Sequence, residues 1–244
     1  MKHYGLIGFP LGHSFSAKYF AERFTRENIL DCSYSNFPLE NISQLGDMLA
    51  QNPDLKGFNV TIPYKLDVIP YLKTISDEAK AIGAVNCVKI DEGGELYGYN
   101  TDVYGFRKSL LELIGESRSK ALVLGTGGAS RAVKYALESL GIEFLSVSRT
   151  VSETSIDYSM ITAKTIKDYP LIINTTPLGT FPKVEGLPSL PFDSMDENNF
   201  LFDLVYNPET TRFMSEGLSR GAKVMNGYRM LVLQAEKSWD IWSE

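Results

Sequence analysis

The sequence contains very few histidines and cysteines, two of each in 244 residues. Cys32 and Cys87 are too few for a disulfide framework, and no Cys and His residues have the spacing of a zinc site. With only His3 and His13 available, a metal centre built from several histidines is excluded, and we predict no metal site. We therefore expect a protein of a reducing compartment, located in the cytoplasm.

The chain also lacks long apolar runs and an excess of positive charge. No stretch approaches the ~18 apolar residues of a membrane span, and glycines and a proline interrupt residues 1–10 where a signal peptide would need an apolar core. The 24 basic and 30 acidic residues give a net charge of −6, which disfavours broad nucleic-acid binding. A small anion in a local basic pocket remains compatible with this charge. We expect a small-molecule substrate, and neither a nucleic acid nor a membrane as partner.

Short apolar runs alternate with helical patterns along the chain, which is typical of βα units and a parallel sheet. Gly93-Gly94 separates two strand-like runs and indicates a hairpin, and Ser76 and Gly83 are placed to begin and end a helix over 77–82. The pattern predicts an α/β protein of two domains, the first mixed α/β and the second doubly wound and Rossmann-like. We place the first domain at 1–101 plus 228–244 and the second at 102–227.

A glycine-rich turn follows the buried strand predicted over 121–124, reads GTGG over 125–128 and opens a helix. Such glycines let the backbone approach a pyrophosphate at a helix N-terminus, although the third glycine of the usual fingerprint is here Ser130. About one βα unit later, the strand over 144–147 is followed by Arg149. An acidic residue there would bind a ribose 2′-hydroxyl, whereas an arginine suits a 2′-phosphate. The pattern favours NADP, with NAD as the alternative.

Four polar clusters lie at predicted strand ends or helix starts in the first domain, reading HSFS over 13–16, NVTIPYK over 59–65, GAVN over 83–86 and NTD over 100–102. Ligands of α/β sheets bind beyond the carboxyl ends of strands. Each cluster alone also has an ordinary structural explanation, such as helix capping by Ser, Thr or Asp, or solvation of Lys65. The four clusters indicate a function only when they are considered together.

Taken together, these clusters and the glycine loop resemble the shikimate dehydrogenase family. Further matching segments are GFP over 8–10, GTGGASR over 125–131, SRT over 148–150, DLVYNP over 203–208, and Gly227, Met230, Leu231, Gln234 and Ala235. Their order and spacing hold from residue 5 to about residue 236. The resemblance implies a reversible, NADPH-dependent reduction of 3-dehydroshikimate to shikimate, a step of aromatic amino-acid biosynthesis, with the first domain binding substrate and the second binding cofactor.

The resemblance implies that Lys65 and Asp102 form the catalytic acid–base pair. When a hydride reaches a ketone carbon, negative charge develops on the oxygen and must be protonated or stabilised. A lysine ammonium can supply that proton, and a neighbouring carboxylate keeps the ammonium charged and in position. The sequence leaves open which of the two groups holds the proton in the oxidising direction, because coupled groups titrate as a pair.

The same resemblance implies two sets of binding residues. Serines 14 and 16 would bind the substrate carboxylate, and amide, hydroxyl and carboxylate side chains would bind the ring hydroxyls or the carboxylate. The substrate set is Ser14, Ser16, Thr61, Asn86, Asp102, Tyr206 and Gln234. The cofactor set is Gly125, Thr126, Gly127, Gly128 and Ala129 for the pyrophosphate, Ser148, Arg149 and Thr150 for the ribose phosphate, and Thr175, Leu204 and Gly227 on the nicotinamide side.

The sequence departs from the family pattern after the strand over 144–147. Ser148 stands where an asparagine is usual, and Glu153 stands where a second basic residue often follows, so that a carboxylate would oppose a 2′-phosphate. Residues 151–170 show no apolar helical stripe before Ile156, and we predict that the helix normally found here is missing or reduced to a loop. A face near the adenine would then be exposed, and a second subunit would cover it if the protein is a homodimer rather than a monomer.

Three other functions remain as alternatives. A related dehydrogenase could prefer quinate and NAD, but serine rather than threonine at both 14 and 16 favours shikimate. A catalytically silent shikimate- or nucleotide-binding module would have no need of both Lys65 and Asp102. A dehydrogenase of the tetrahydrofolate type shares the two-domain plan, but its large aromatic substrate fits a hydroxyl-rich set of residues poorly.

Overall fold

The computed structural model describes residues 1–12, 15–117, 119–151 and 154–244, so that His13, Ser14 and Glu153 lie outside the described residues. The chain divides into two compact units. Unit 1 consists of Met1–Asp102 and Gln234–Glu244, and unit 2 of Val103–Leu233. No helix in the described ranges has the length and apolar character needed to cross a bilayer.

Unit 1 contains a mixed six-stranded sheet with short helices. Its strands are β1 (Lys2–Gly8), β2 (Cys32–Pro38), β3 (Leu55–Val60), β4 (Thr74–Ile75), β5 (Cys87–Ile90) and β6 (Leu96–Tyr99), and its helices are α1 (Phe15–Arg26), α2 (Leu45–Gln51) and α3 (Asp77–Ile82). The strand order is β2-β1-β3-β5-β6-β4, and β5 pairs antiparallel with both β3 and β6. The remaining pairs are parallel. The predicted mixed α/β character is confirmed.

Local signals in unit 1 act as the sequence indicates. Ser76 accepts a hydrogen bond from the backbone of Ala79 and so caps α3, and Gly83 ends that helix in the left-handed conformation with φ of 71°. The hairpin between β5 and β6 is confirmed, with Gly94 at φ of 80° in its turn. Glycine meets this positive φ without the steric cost that a side chain would add.

Unit 2 is built on six strands that all pair in parallel. The strands are β7 (Ala121–Leu124), β8 (Phe144–Val147), β9 (Ser155–Ile156), β10 (Leu171–Asn174), β11 (Phe200–Asp203) and β12 (Lys223–Met225), and the helices are α4 (Asp102–Ile114), α5 (Gly128–Ser139), α6 (Ala163–Asp168) and α7 (Arg212–Leu218). The last helix, α8 (Tyr228–Ser243), begins in unit 2 and from Gln234 onward belongs to unit 1. The order β12-β11-β10-β7-β8-β9 reverses direction at β7, which creates a switch point beside the glycine loop. The predicted Rossmann-like, doubly wound fold is confirmed.

The segment after β8 agrees only in part with its prediction. In the described residues between Val147 and Ser155 no helix occurs, and the chain passes directly into β9, which pairs with β8. The helix normally found after this strand was predicted to be missing or reduced to a loop, but a short helix, α6, forms later in the segment, after β9. Its cap is Thr162, which forms a reciprocal capping box with Thr165, and Ile166 is its single buried residue.

The C-terminal part of α8 packs on the sheet of unit 1 through one large aromatic residue. Trp242 stacks on Tyr4 at 4.9 Å between ring centroids, and its indole Nε1 donates a hydrogen bond to the carbonyl of Val88 at 2.9 Å. Gly57 lies directly beneath the indole, and a Cβ atom there would collide with it. This close packing holds Gln234 and the following turn of α8 in unit 1.

Candidate functional site

Lys65 and Asp102 form a short, charge-assisted contact in unit 1. The Lys65 ammonium Nζ donates to Asp102 Oδ2 at 2.7 Å, with 30% and 18% of the two side chains exposed. Asp102 is the first residue of α4, where a carboxylate is favoured by the helix dipole. Lys65 lies in the turn that follows β3, and its backbone carbonyl accepts a hydrogen bond from Val85 at 2.8 Å. The pair is therefore preformed and still reachable by a solute.

The amide of Asn86 is joined to Thr101, the neighbour of Asp102. Asn86 Oδ1 accepts a hydrogen bond from the Thr101 backbone at 2.6 Å, and Asn86 Nδ2 donates to Thr101 Oγ1 at 3.0 Å. Thr101 Oγ1 also lies 3.5 Å from Gln234 Oε1, to which it donates. Asn86, Thr101 and Gln234 are all buried. Two of the predicted substrate residues, Asn86 and Gln234, are thus linked through one hydroxyl.

The hydrogen-bond network continues through residues that the sequence did not single out as site residues. Ser238 Oγ lies 3.2 Å from Thr101 Oγ1 and accepts a hydrogen bond from Asn59 Nδ2 at 2.9 Å. Asn59 Oδ1 in turn accepts from the hydroxyl of Tyr34 at 2.9 Å. Ser238 is four residues after Gln234 on α8, so helical spacing alone places both on one face. That spacing is the signal that could have identified Ser238.

Ser16 is connected to this network through Tyr34. Burial raises the pKa of the Tyr34 hydroxyl well above its ordinary value, and a side-chain hydrogen bond with Ser16 partly offsets that effect. Thr61 follows β3, and its backbone nitrogen donates to the carbonyl of Ile7 at 2.9 Å. Tyr206 belongs to unit 2, where it follows β11 with 41% of its surface exposed. Within unit 1 the structure thus connects Ser16, Asn86 and Gln234.

The glycine loop of unit 2 has the geometry of an anion-binding turn. Gly125 has φ of +102°, and a Cβ atom there would lie 2.9 Å from Thr175 Oγ1. Gly127 is the N-cap of α5 and brings no side chain to that helix end, and no atom lies within 4 Å of where its Cβ would be. Ser130, the departure from the fingerprint, is buried and donates its hydroxyl hydrogen to the Gly127 carbonyl at 2.7 Å. Ser130 therefore stabilises the glycine loop and leaves the N-terminus of α5 unobstructed.

A cavity of about 610 Å³ lies beside this loop within unit 2. Of the predicted cofactor residues, it is lined by Gly125, Thr126, Gly127, Ser148, Arg149 and Thr175. A second cavity, of about 620 Å³, is lined by Thr150 and shares Thr126, Ser148 and Arg149 with the first. Gly128, Ala129, Leu204 and Gly227 line neither cavity. Gly227 approaches the carbonyl of Leu204 so closely that no side chain would fit.

Asp203 is a buried carboxylate at the end of β11, beside Leu204. It accepts hydrogen bonds from Thr211 Oγ1 at 2.6 Å, from Asn174 Nδ2 at 2.9 Å and from the backbone of Val205 at 3.0 Å. Burial raises the pKa of Asp203 to about 6 despite these donors. Its partners join β10, β11 and the start of α7, so it organises this end of the sheet.

The described residues contain no cluster of three or more His, Cys, Asp or Glu side chains that could hold a metal ion. Cys32 and Cys87 are both free thiols, and burial raises the pKa of Cys87 to about 12. His3 in unit 1 forms a hydrogen bond of 2.9 Å with Ser35.

Comparison with known proteins places these features in one family. Residues 6–88 match the shikimate dehydrogenase substrate binding domain. Over 255 residues the chain is 42% identical to the shikimate dehydrogenase (NADP(+)) of Clostridium beijerinckii, covering 100% of this chain and 93% of that protein. The crystal structure of shikimate 5-dehydrogenase from Thermus thermophilus, a complex with NADP(H) and shikimate, has a TM-score of 0.86 and 32% identity, covering 100% of this chain and 94% of that one.

A quinate dehydrogenase from Corynebacterium glutamicum, solved in complex with NAD, has a TM-score of 0.89. It is only 24% identical, covering 99% of this chain and 93% of that one, so the likeness shows the shared fold and nothing about substrate or cofactor. The full-length identity to the clostridial protein is the stronger evidence. The chain belongs to the shikimate dehydrogenase family.

Proposed function

We propose that this protein is an oxidoreductase that reduces 3-dehydroshikimate to shikimate with NADPH, reversibly. The observation that carries this proposal is the Lys65–Asp102 pair, preformed at 2.7 Å and partly exposed in a chain of this family. An ammonium held beside a carboxylate is suited to deliver a proton to an oxygen that gains negative charge. The serines, amides and hydroxyls of unit 1 suit a small acid that carries several ring hydroxyls.

In the reducing direction, Lys65 acts as the general acid. When bound, NADPH would supply the hydride for the carbonyl carbon. Lys65 Nζ donates its proton to the carbonyl oxygen as charge develops there, and the new O–H bond completes the alcohol. Asp102, at the start of α4, accepts a hydrogen bond from the ammonium and holds it in position.

In this proposal the side chains of unit 1 bind the substrate, and the family resemblance adds Tyr206 as a further substrate-binding residue. Ser14 and Ser16 bind its carboxylate, while Thr61, Asn86, Asp102 and Gln234 hydrogen-bond its remaining oxygens. The network through Thr101 and Ser238 supports this assignment, because buried amides that already have partners keep a fixed orientation. Fixed donors and acceptors discriminate well between substrates that differ by one hydroxyl.

The residues of unit 2 fit NADP. The open N-terminus of α5 and the glycine loop suit a pyrophosphate, with Gly125, Thr126, Gly127, Gly128 and Ala129 as its cradle. Ser148, Arg149 and Thr150 hold the ribose phosphate, while Thr175, Leu204 and Gly227 lie on the nicotinamide side. Residues 1–101 and 228–244 thus form the substrate domain, and 102–227 the cofactor domain. We further propose a cytoplasmic enzyme that works as a monomer or homodimer.

The test is the reduction of nicotinamide by purified protein with shikimate, followed by its absorbance with NADP⁺ and NAD⁺ side by side. Quinate replaces shikimate in a parallel pair of reactions. We expect fast turnover with shikimate and NADP⁺. Turnover with NAD⁺ alone would keep the reaction but overturn the cofactor assignment, and turnover with quinate alone would overturn the substrate. Inactivity in all four reactions would overturn the proposed function and favour a silent binding module.

A further inference from the structure

The second cavity of unit 2 carries an unusual concentration of positive charge. Three cations line it, Arg131, Lys134 and Arg149, and its remaining lining residues in the described part of the chain all bear hydroxyl groups. No carboxylate of a described residue lines it. In a chain of net charge −6, a pocket whose described lining gathers three cations and no carboxylate favours an anion.

The local sequence explains how these cations come together. Arg131 and Lys134 are three residues apart near the start of α5, a spacing that places them on one face of the helix. Val133 and Ala136 occupy the buried face. Arg149 follows β8, the strand that pairs with β7, and β7 leads through the glycine loop into α5.

The three cations differ from five arginines of the protein in how they are paired. Arginines 23, 26, 212, 220 and 229 each contact a carboxylate at 2.6–3.3 Å. Among the described residues, by contrast, no ion pair or side-chain hydrogen bond engages Arg131, Lys134 or Arg149. Burial lowers the pKa of Lys134, and Glu138, one turn further along α5, counters this without forming an ion pair. A ligand anion would satisfy a cation that the fold leaves partly desolvated.

We propose that Arg131 and Lys134 are specificity-determining residues, which with Arg149 form a three-cation site for the 2′-phosphate of NADP. The inference rests on the proposed function and deepens its cofactor assignment. A 2′-phosphate carries close to two negative charges at neutral pH, as other phosphate monoesters do. Helix α5 supplies two of the three positive charges at this cavity.

The test distinguishes the contribution of the 2′-phosphate to binding from that of the rest of the cofactor. Calorimetry measures the affinity of adenosine 2′,5′-bisphosphate and of 5′-AMP for the whole protein and its variants. We expect Lys134→Ala and Arg131→Ala each to lower the ratio of bisphosphate to AMP affinity about tenfold, and Lys134→Glu about 100-fold, since charge-assisted contacts to an anion are strong. Lys134→Arg, which keeps the positive charge, should retain most of the wild-type ratio of bisphosphate to AMP affinity. Alanine is favourable inside a helix, so the variants should fold.

Lys164→Ala is the matched control, because Lys164 is an exposed lysine of α6 that lines neither cavity. It should leave the ratio unchanged. An unchanged ratio in the Lys134 and Arg131 variants, or an equal loss of both ligands, would overturn the proposal. The outcome is independent of catalysis: a wild-type protein that discriminates the bisphosphate through Lys134 but does not oxidise shikimate would refute the proposed function alone. A wild-type protein that oxidises shikimate but binds both nucleotides equally would refute this inference and leave the proposed reaction standing.

Discussion

The two candidate sites differ in how their polar groups are satisfied before a ligand binds. In unit 1, Lys65 pairs with Asp102, and Asn86, Thr101 and Ser238 are hydrogen-bonded to one another. In unit 2, the cations beside the glycine loop form no ion pair among the described residues. A ligand that is recognised through many hydroxyl contacts needs donors and acceptors of fixed orientation in its site. A ligand that is recognised through its charge needs a site with unneutralised charge of the opposite sign.

The largest effect should come from breaking the preformed pair. We expect Lys65→Ala to lower kcat by about 10³-fold or more, while KM for shikimate changes much less, because proton donation acts in the transition state. Steady-state kinetics check this. Lys80→Ala, which removes an exposed lysine paired with Asp77, should leave both constants unchanged. An increase in KM with unchanged kcat would instead make Lys65 a substrate-binding residue.

Unit 2 also differs from unit 1 in having a buried carboxylate with a raised pKa. Because the pKa of Asp203 is about 6 in the folded protein and near 3.8 when unfolded, the folded state binds more protons between these values. Stability should therefore fall as pH rises from about 4 to 6, by up to about 3 kcal/mol. Asp203→Asn should remove this fall in urea denaturation measured at several pH values.

Asp193→Asn is the control for that prediction, because its side chain is 98% exposed and pairs with Arg220 at the surface. Exposed ion pairs contribute little to stability. This variant should show the same pH dependence as the wild type. A difference in stability between the wild type and Asp203→Asn that stays constant from pH 4 to 6 would contradict the burial argument.

The unpaired charge of unit 2 can be tested at Arg149, the member that follows β8. We expect Arg149→Ala to lower the ratio of kcat/KM with NADP⁺ to that with NAD⁺ about 10- to 100-fold, since only NADP⁺ carries the 2′-phosphate. Arg212→Ala, which removes an arginine already paired with Glu185, should leave the ratio intact. Equal losses with both cofactors would show that Arg149 does not read the phosphate.

The smallest effect should come from one member of the network in unit 1. Ser238→Ala removes the acceptor of Asn59 Nδ2, which keeps its second hydrogen bond to the Asn86 carbonyl at 3.2 Å. We expect a loss of about 1–2 kcal/mol in the free energy of unfolding. Ser243→Ala, at an exposed position of the same helix, should cost almost nothing. If Ser238→Ala lost as little stability as Ser243→Ala, the hydrogen-bond network would add no stability.

Much of the fold was predictable because its signals are local. The predicted strand over 121–124 is β7, and the one over 144–147 is β8, since both are short apolar runs bounded by polar residues. The two-residue strands β4 and β9 could not be predicted, because two residues show no periodicity. Helix α6 was not predicted, because it contains only one large apolar residue and so shows no apolar stripe. Its capping box at Thr162 and Thr165 was recognisable in the sequence.

The candidate site was predictable to the extent that its residues lie in short motifs. Lys65, Asp102 and the glycine loop are such residues, and the roles assigned to them remain predictions that the assays above test. Asn59 and Ser238, which are hydrogen-bonded, are 179 positions apart in the sequence, and no local pattern predicts this contact. The same holds for the three cations, whose shared cavity depends on the packing of α5 beside the end of β8.

By itself, the sequence determined the family, the α/β class and the position of most strands, and it supplied the candidate site residues. These follow from local periodicity, from capping and turn residues, and from motifs whose members are adjacent. Only the tertiary structure decided which polar groups are satisfied and which are left with unneutralised charge. That distinction depends on burial and on partners distant in sequence, because the energy of a polar or charged group is determined by what surrounds it in space.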